Sequence, residues 1–393
     1  MNLENKSIDL LNPFIIIAMV IVFIIIALPM WYAYQKLPSP SMDLFLYIGL
    51  GLIFFIFGIL ISNLLLNRFL KKDLSLDSLK DTIKISISKN PKKLSIFESY
   101  SRKEMILVIM VLIGIILQII NIVRLGGIPL FSATLKAEAA GKIWLASYII
   151  FLPFINILLA EFNRDSHYLL VFLGLLLFTL TGYRTTPIAI VLSILITLYY
   201  TRNIKFKYQV LFLGLFLVIA VALLLAIGFI AVQAISWQHW SLNPIELVSY
   251  RAAFTLNVLG HAISNQFATA GKLFYSTLTG FFTHTDPRVL VGQATLGRNH
   301  SITSTIFGPA LLDFGLIGMC IQMLLIGFIL KTLHSIQKHK KEVYSAFYGI
   351  LLAQTIIWIE TGPTDVVVWI FYLIAIVLMA LFFLKGSSRD LEA

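Results

Sequence analysis

A single cysteine, Cys320, in 393 residues leaves no intrachain disulfide and no cysteine-built metal site. Charge is almost as scarce. Asp, Glu, Lys and Arg make up 12% of the chain, and the 19 acids are outnumbered by 30 lysines and arginines. No Asp-x-Asp occurs, and residues 34–42 contain no acid. That pattern argues against group transfer through carboxylate-bound Mg²⁺ or Mn²⁺. A Gly-x-x-x-x-Gly-Lys phosphate loop and a His-Glu-x-x-His site are also missing, which excludes the usual route to direct ATP use and the usual zinc helix. No internal repeat is visible, which disfavours transporters built from two related halves.

What fills the chain instead is apolar surface. Apolar residues account for 59%, and mean hydropathy is +0.91, more than a soluble domain of this length can bury. The expected fold is all-α, a single polytopic membrane domain over 1–393. Ten spans fit: 11–33, 43–66, 105–123, 144–160, 167–182, 186–200, 208–232, 306–331, 343–359 and 366–384. A crossing helix takes about 20 residues, so the fifth and sixth are short. The first reads as a retained helix, because its apolar run is long for a signal peptide and no small-residue cleavage site ends it. The net charge of +11 fits basic loops against anionic lipid rather than nucleic acid.

Sorting charges by side fixes the orientation. With the N-terminus inside, cytoplasmic segments hold 21 Lys and Arg and outer segments hold nine, so both termini are expected in the cytoplasm. Lysine follows this bias, with four of 20 outside, but five of the ten arginines lie outside. Arginine's planar fork suits phosphate and pyrophosphate better than a lysine point charge does. Two connections are long: a basic cytoplasmic loop, 67–104, and an outer loop, 233–305. The outer loop carries nine aromatics and His239, His261, His284 and His300. Asn243, Pro244 and Glu246 predict a helix start within it, running to about Phe267.

The candidate residues gather outside. Arg184 sits in the tight turn Gly182-Tyr-Arg-Thr-Thr-Pro187, at the depth of a lipid-linked pyrophosphate. Arg124 begins Arg124-Leu-Gly-Gly-Ile-Pro-Leu-Phe-Ser132, followed by Lys136, Glu138 and Lys142. Arg251, Arg288 and Arg298 lie in the large loop, Arg288 beside Asp286 and Arg298 beside His300. His300 or Glu138 is the candidate general base. No metal-binding set and no cofactor is expected. Asp313, within an apolar span, calls for a partner, as a salt bridge, a helix-packing contact or a catalytic group. The acids of Glu360-Thr-Gly-Pro-Thr-Asp365 read as turn and cap residues.

Arg124 to Ser132, then Gly182-Tyr-Arg-Thr185, then Phe307 through Gly318 with Asp-Phe-Gly-Leu-Ile-Gly, occur in an order that resembles oligosaccharide repeat-unit polymerases, the Wzy-type O-antigen and capsule polymerases. The resemblance covers roughly 105–330. It implies a GT-C-like fold related to O-antigen ligases. It also implies a metal-independent glycosyltransferase that joins glycans carried on polyprenyl pyrophosphate at the outer face of the cytoplasmic (inner) membrane. Donor and acceptor would both be lipid-linked repeats, and a chain-length regulator protein is a further partner to expect. Outer arginines would hold the pyrophosphate, with Arg184 the closest positional match and Arg251 the next. In ligases of this kind a histidine falls shortly before a Gly-x-x-Gly helix, whereas His300 lies fifteen residues ahead of Gly315. A ligase-like transferase and a lipid-linked glycan flippase are the alternatives.

Overall fold

In the computed structural model the described residues are 9–81, 101–162, 164–202, 214, 244–283 and 285–389. They contain helices and no strand. The helices are α1 (Ile15–Leu28), continued by one wide turn at Pro29–Ala33, α2 (Met42–Asp81), α3 (Arg102–Arg124), α4 (Ala133–Ala139), α5 (Lys142–Glu161), α6 (Asp165–Thr179), α7 (Thr185–Thr201), α8 (Pro244–Ser264), α9 (Lys272–Thr283), α10 (Pro287–Leu296), α11 (Gly308–His339), α12 (Val343–Thr361) and α13 (Val366–Arg389).

Seven of these are long and apolar enough to cross a membrane: Ile15–Ala33, Met42–Leu66, Arg102–Arg124, Lys142–Glu161, Gly308–His339, Val343–Thr361 and Val366–Leu384. Two shorter apolar helices, Asp165–Thr179 and Thr185–Thr201, match the two short spans read from the sequence. The protein is a multi-pass membrane protein. The expected span 208–232 lies outside the described residues apart from Gly214, and so does 82–100 of the basic loop. The helix expected to end near residue 66 continues to Asp81, since no proline or glycine interrupts the sequence there.

Lipid offers no hydrophobic drive for one helix to leave it for another, so close packing and polar contacts must join the helices. Both are present. A Cβ on Gly327 of α11 would strike the Phe55 carbonyl of α2, and one on Gly58 of α2 would strike the Leu324 carbonyl, so these backbones touch. Ser62 and Thr332 share a hydrogen bond across the same seam, 2.8 Å. Asn156 of α5 bonds Ser193 and Thr197 of α7, at 3.1 and 2.9 Å.

The contacts define two ends of the bundle. At one end Asp9 accepts from Tyr200 (2.8 Å) and pairs with His334 (2.9 Å) and Lys338 (3.0 Å), joining the start of α1 to the ends of α7 and α11. Nearby Glu104 pairs with Arg164 (2.8 Å) and His167 (3.2 Å), and Lys103 with Glu161 (2.6 Å). The opposite end carries α4 and the loop helices α8, α9 and α10.

The loop helices have a small core of their own, built from Val258, Ala262, Leu273, Val291, Ile302 and Leu312. Helix α8 begins at Pro244, as its start signals predict. Asn257 ties it to α1, accepting from Trp31 Nε1 (3.1 Å) and donating to the Pro38 carbonyl (3.2 Å). Asp313 is buried and has no salt-bridge partner among the described residues. It caps α9, accepting from the Thr269 hydroxyl (2.6 Å) and the backbone N–H groups of Leu273 (3.1 Å) and Phe274 (2.6 Å). Two residues later Gly315 breaks α11 at φ +63°, a conformation that suits glycine, with the Phe267 ring against its Cα. The Asp-Phe-Gly pattern is therefore a cap followed by a helix break.

Candidate functional site

Two of the sequence motifs interlock to build the site. The turn between α6 and α7 needs Gly182 at φ +76°, and a Cβ there would press on the Leu130 backbone. Leu130 donates its N–H to the Leu180 carbonyl (2.9 Å), so the Gly-Gly-Ile-Pro segment lies directly on this turn. Tyr183 donates its hydroxyl to the Lys136 carbonyl (2.8 Å), which fixes α4 beside it. Arg184 is the residue immediately before α7.

Arg184, Arg251 and Lys136 form one cationic cluster with Glu360. Arg251 Nε donates to Glu360 Oε1 at 2.9 Å, across 109 residues of sequence. The Arg184 guanidinium makes no hydrogen bond or ion pair among the described residues, although the residue is partly buried. Burial, and then the charge of Arg251, push its guanidinium below the usual range, against the pull of Glu360. The Lys136 amine is held low in the same way, by burial first and then by Arg184 and Arg251. Among the described residues, three cations thus face one acid. Water-poor surroundings and like charges raise the potential at this spot, so an anion carrying two or more charges would relieve it.

Arg288 lies on the other side of the same turn, in different company. It bonds Asp365 at 2.9 Å and lies 3.7 Å from Asp286, which also caps α10. Asp365, followed by Asp286, holds this guanidinium charged above its usual range, although burial opposes them. Beside it is a cavity of about 320 Å³ lined by Lys142, Trp144, Tyr148, Tyr183, Arg288, Gln354, Trp358, Thr364 and Asp365, among others. Trp144 stacks on Tyr148 at 5.5 Å, and Gln354 donates to the Tyr148 hydroxyl at 2.8 Å. Burial raises the Tyr183 phenol.

The acids of the Glu360–Asp365 turn are therefore counter-ions to two arginines rather than turn and cap groups. Trp144, Tyr148 and Trp358 are further additions that the sequence pattern does not single out, whereas Lys136 and Tyr183 belong to segments that it does. The remaining candidates stand apart. Arg124 ends α3 exposed, and Glu138 is exposed on α4, two residues from Lys136. Arg298 and His300 are exposed in the turn after α10, whose backbone packs on Gly292. His261 is exposed on α8, and His239, His284, Trp237 and Trp240 lie outside the described residues. No three His, Cys, Asp or Glu side chains converge as metal ligands among the described residues.

Fold and site together define a multi-pass helical membrane protein with a cluster of cationic side chains at one end of its bundle. Residues 9–372 match the family described as "Putative O-antigen polymerase", and the chain belongs to that family. It is also 32% identical over 273 residues to the uncharacterized protein MJ0420 of Methanocaldococcus jannaschii, a match covering 68% of this chain and 63% of that protein. A second uncharacterized protein of the same organism, MJ0419, is 26% identical over 276 residues, 69% of this chain and 75% of its own length. No solved structure matches.

Proposed function

We propose that the protein is a glycosyltransferase that lengthens a glycan by joining repeat units carried on polyprenyl pyrophosphate, at the outer face of the cell membrane. The observation that carries this reading is the excess of cations over acids where Lys136, Arg184 and Arg251 meet Glu360. Family membership supports the same activity.

The chemistry asks little covalent work of the protein. The bond between the donor sugar's anomeric carbon and the pyrophosphate oxygen breaks, and an acceptor hydroxyl oxygen bonds to that carbon. Polyprenyl pyrophosphate leaves. The cationic cluster stabilises the charge that grows on the leaving oxygen, and such preorganised contacts are commonly the largest catalytic term. A base takes the acceptor proton. Glu138 and His300 are the two candidates for it: Glu138 shares the short helix α4 with Lys136, two residues away, and His300 is exposed in the turn after α10. Arg124 and Arg298, exposed at the same end, would steer the anionic substrate rather than clamp it.

The test is reconstitution. Purified protein in detergent, given the host's lipid-linked repeat unit, should yield a ladder of lengthening glycans on a gel, with or without EDTA. Arg184→Ala should abolish the ladder, and Glu138→Gln should slow it. A metal requirement would overturn the metal-free mechanism. Transfer to a different acceptor without a ladder would make the protein ligase-like.

A further inference from the structure

We propose that the cavity beside the cationic cluster is the subsite for the first sugar of the donor, the ring bonded to the pyrophosphate, and that it selects a neutral hexopyranose. This rests on the pyrophosphate reading above.

Adjacency comes from the chain itself. Three segments build both places. Lys136 belongs to the cluster, and Ala140–Lys142, a few residues on, line the cavity. Arg184 faces the cluster, and its neighbours Tyr183, Thr185 and Thr186 line the cavity. Glu360 is in the cluster, and Trp358, Thr364 and Asp365 line the cavity. A ligand that fills both must pass from a dianion to an adjacent compact group with no spacer. A glycosyl pyrophosphate has that shape.

The lining suits a sugar. At about 320 Å³ the cavity is at the small end of ligand pockets, about 300–1,000 Å³, so it holds a ring or two rather than a whole repeat unit. Trp144 and Tyr183 offer apolar faces, their ring centres 6.3 Å apart. The hydrogen-bonding groups are unspent. Trp358 Nε1 and Thr364 Oγ1 are buried and have no hydrogen-bond partner among the described residues. Such groups are costly to leave unmet, and sugar hydroxyls would meet them. Asp365 and Asp286 add acceptors.

Charge sets the selectivity. Lys142 and Arg288 equal Asp286 and Asp365 in number, so the cavity is net neutral where the neighbouring cluster is not; both acids lie against Arg288, while Lys142 sits over the Phe282 ring. A uronic acid would bring a third carboxylate beside Asp286 and Asp365, with Arg288 already engaged by both and Lys142 the one lining cation outside those ion pairs. A neutral or N-acetylated ring meets no such penalty.

The experiment compares three probes on the full-length protein in nanodiscs, with binding measured by native mass spectrometry. The probes are a short polyprenyl pyrophosphate, the same lipid bearing N-acetylglucosamine, and the same lipid bearing glucuronic acid. N-acetylglucosamine should tighten binding about tenfold, and glucuronic acid should not tighten it. Trp358→Phe and Thr364→Val keep shape and remove the donors. Each should cut the sugar-dependent gain severalfold while leaving affinity for the bare lipid unchanged, which also shows that the variant is folded. The inference is overturned if the sugar adds nothing, if both variants keep the full gain, or if glucuronic acid binds as tightly as N-acetylglucosamine. Bare lipid that binds wild type and Arg184→Ala equally would sink the pyrophosphate reading instead.

Discussion

The two ends of the bundle treat charge in opposite ways. At the Asp9 end acids and cations are matched: Glu104 with Arg164 and His167, Glu161 with Lys103, Asp9 with His334 and Lys338. At the Glu360 end, Arg184 and Lys136 crowd Arg251 and share a single acid. Matched buried charges tie helices together and cost heavily only when one partner is lost. Unmatched, desolvated charges add nothing to the fold, so their presence points to a ligand. Removing a charge should therefore damage stability at one end and activity at the other.

The largest effect should come from Arg184. Truncation to alanine removes a cation from the cluster but breaks no ion pair among the described residues. Polymer synthesis should fall on the order of a hundredfold or more, the usual cost of losing a preorganised charge-stabilising donor. The melting temperature should hold or rise. Arg184→Lys keeps the charge but not the fork, and should recover only a small part of the rate. Full activity in the lysine variant would show that the fork is not used. A large drop in melting temperature in either variant would erase the contrast between the ends.

Glu104 should show the reverse. Its side chain is 1% exposed and faces Arg164 and His167. Glu104→Gln removes the charge that these groups pair with, and the loss of one partner from a buried pair costs about 3–5 kcal/mol. Arg164 keeps 31% exposure, so the lower figure, about 3 kcal/mol, is expected. Thermal unfolding in detergent would register the loss, while turnover per folded molecule should stay near wild type.

Much of this fold is written locally in the sequence. Apolar length gives the spans, and Pro244 with Glu246 gives the start of α8. Gly182 and Gly315 mark backbone positions where the chain bends with positive φ. The site is different, because its pairings are distant. Nothing near Glu360 announces Arg251, and the Gly-Pro between Glu360 and Asp365 makes both acids look like turn residues. The cavity aromatics are hard to read from sequence for another reason. Trp144, Tyr148 and Trp358 sit on spans, where aromatics ordinarily pack cores or mark interfaces. The aromatic-rich outer loop is the more conspicuous sequence feature, yet Tyr275 and Phe282 of α9 are exposed rather than in the cavity.

Asp313 tests how the loop is joined to the bundle. Asp313→Asn keeps one acceptor oxygen but loses the charge that holds two backbone N–H groups and a hydroxyl at the start of α9. Loss of a good cap costs about 1–2 kcal/mol. Because Ser276, Thr277 and Gly280 of α9 line the cavity, hydrogen exchange should quicken along α9, and the sugar-dependent part of binding should weaken with it. Affinity for a bare pyrophosphate lipid should not change.

The smallest effect should be the most diagnostic, because it reads the charge of the cluster directly. Lys136 is held below the usual lysine range, by burial first and then by Arg184 and Arg251. Its unfolded value is about 10.4. A lysine whose folded value is the lower one opposes folding while it is charged in both states. Stability should therefore rise as pH climbs through the depressed value, and the gain should level off near 10.4. Pyrophosphate bound at the cluster favours the charged amine and should flatten that rise, adding stability most at neutral pH. Melting curves from pH 7 to about 10.5, with and without inorganic pyrophosphate, would show both behaviours. Lys136→Met separates this group from tyrosines that titrate in the same range, since only the lysine's share should vanish. A wild-type rise that pyrophosphate leaves untouched would mean that the cluster's excess charge is not answered by this anion, and the contrast between the two ends would need another ligand to explain it.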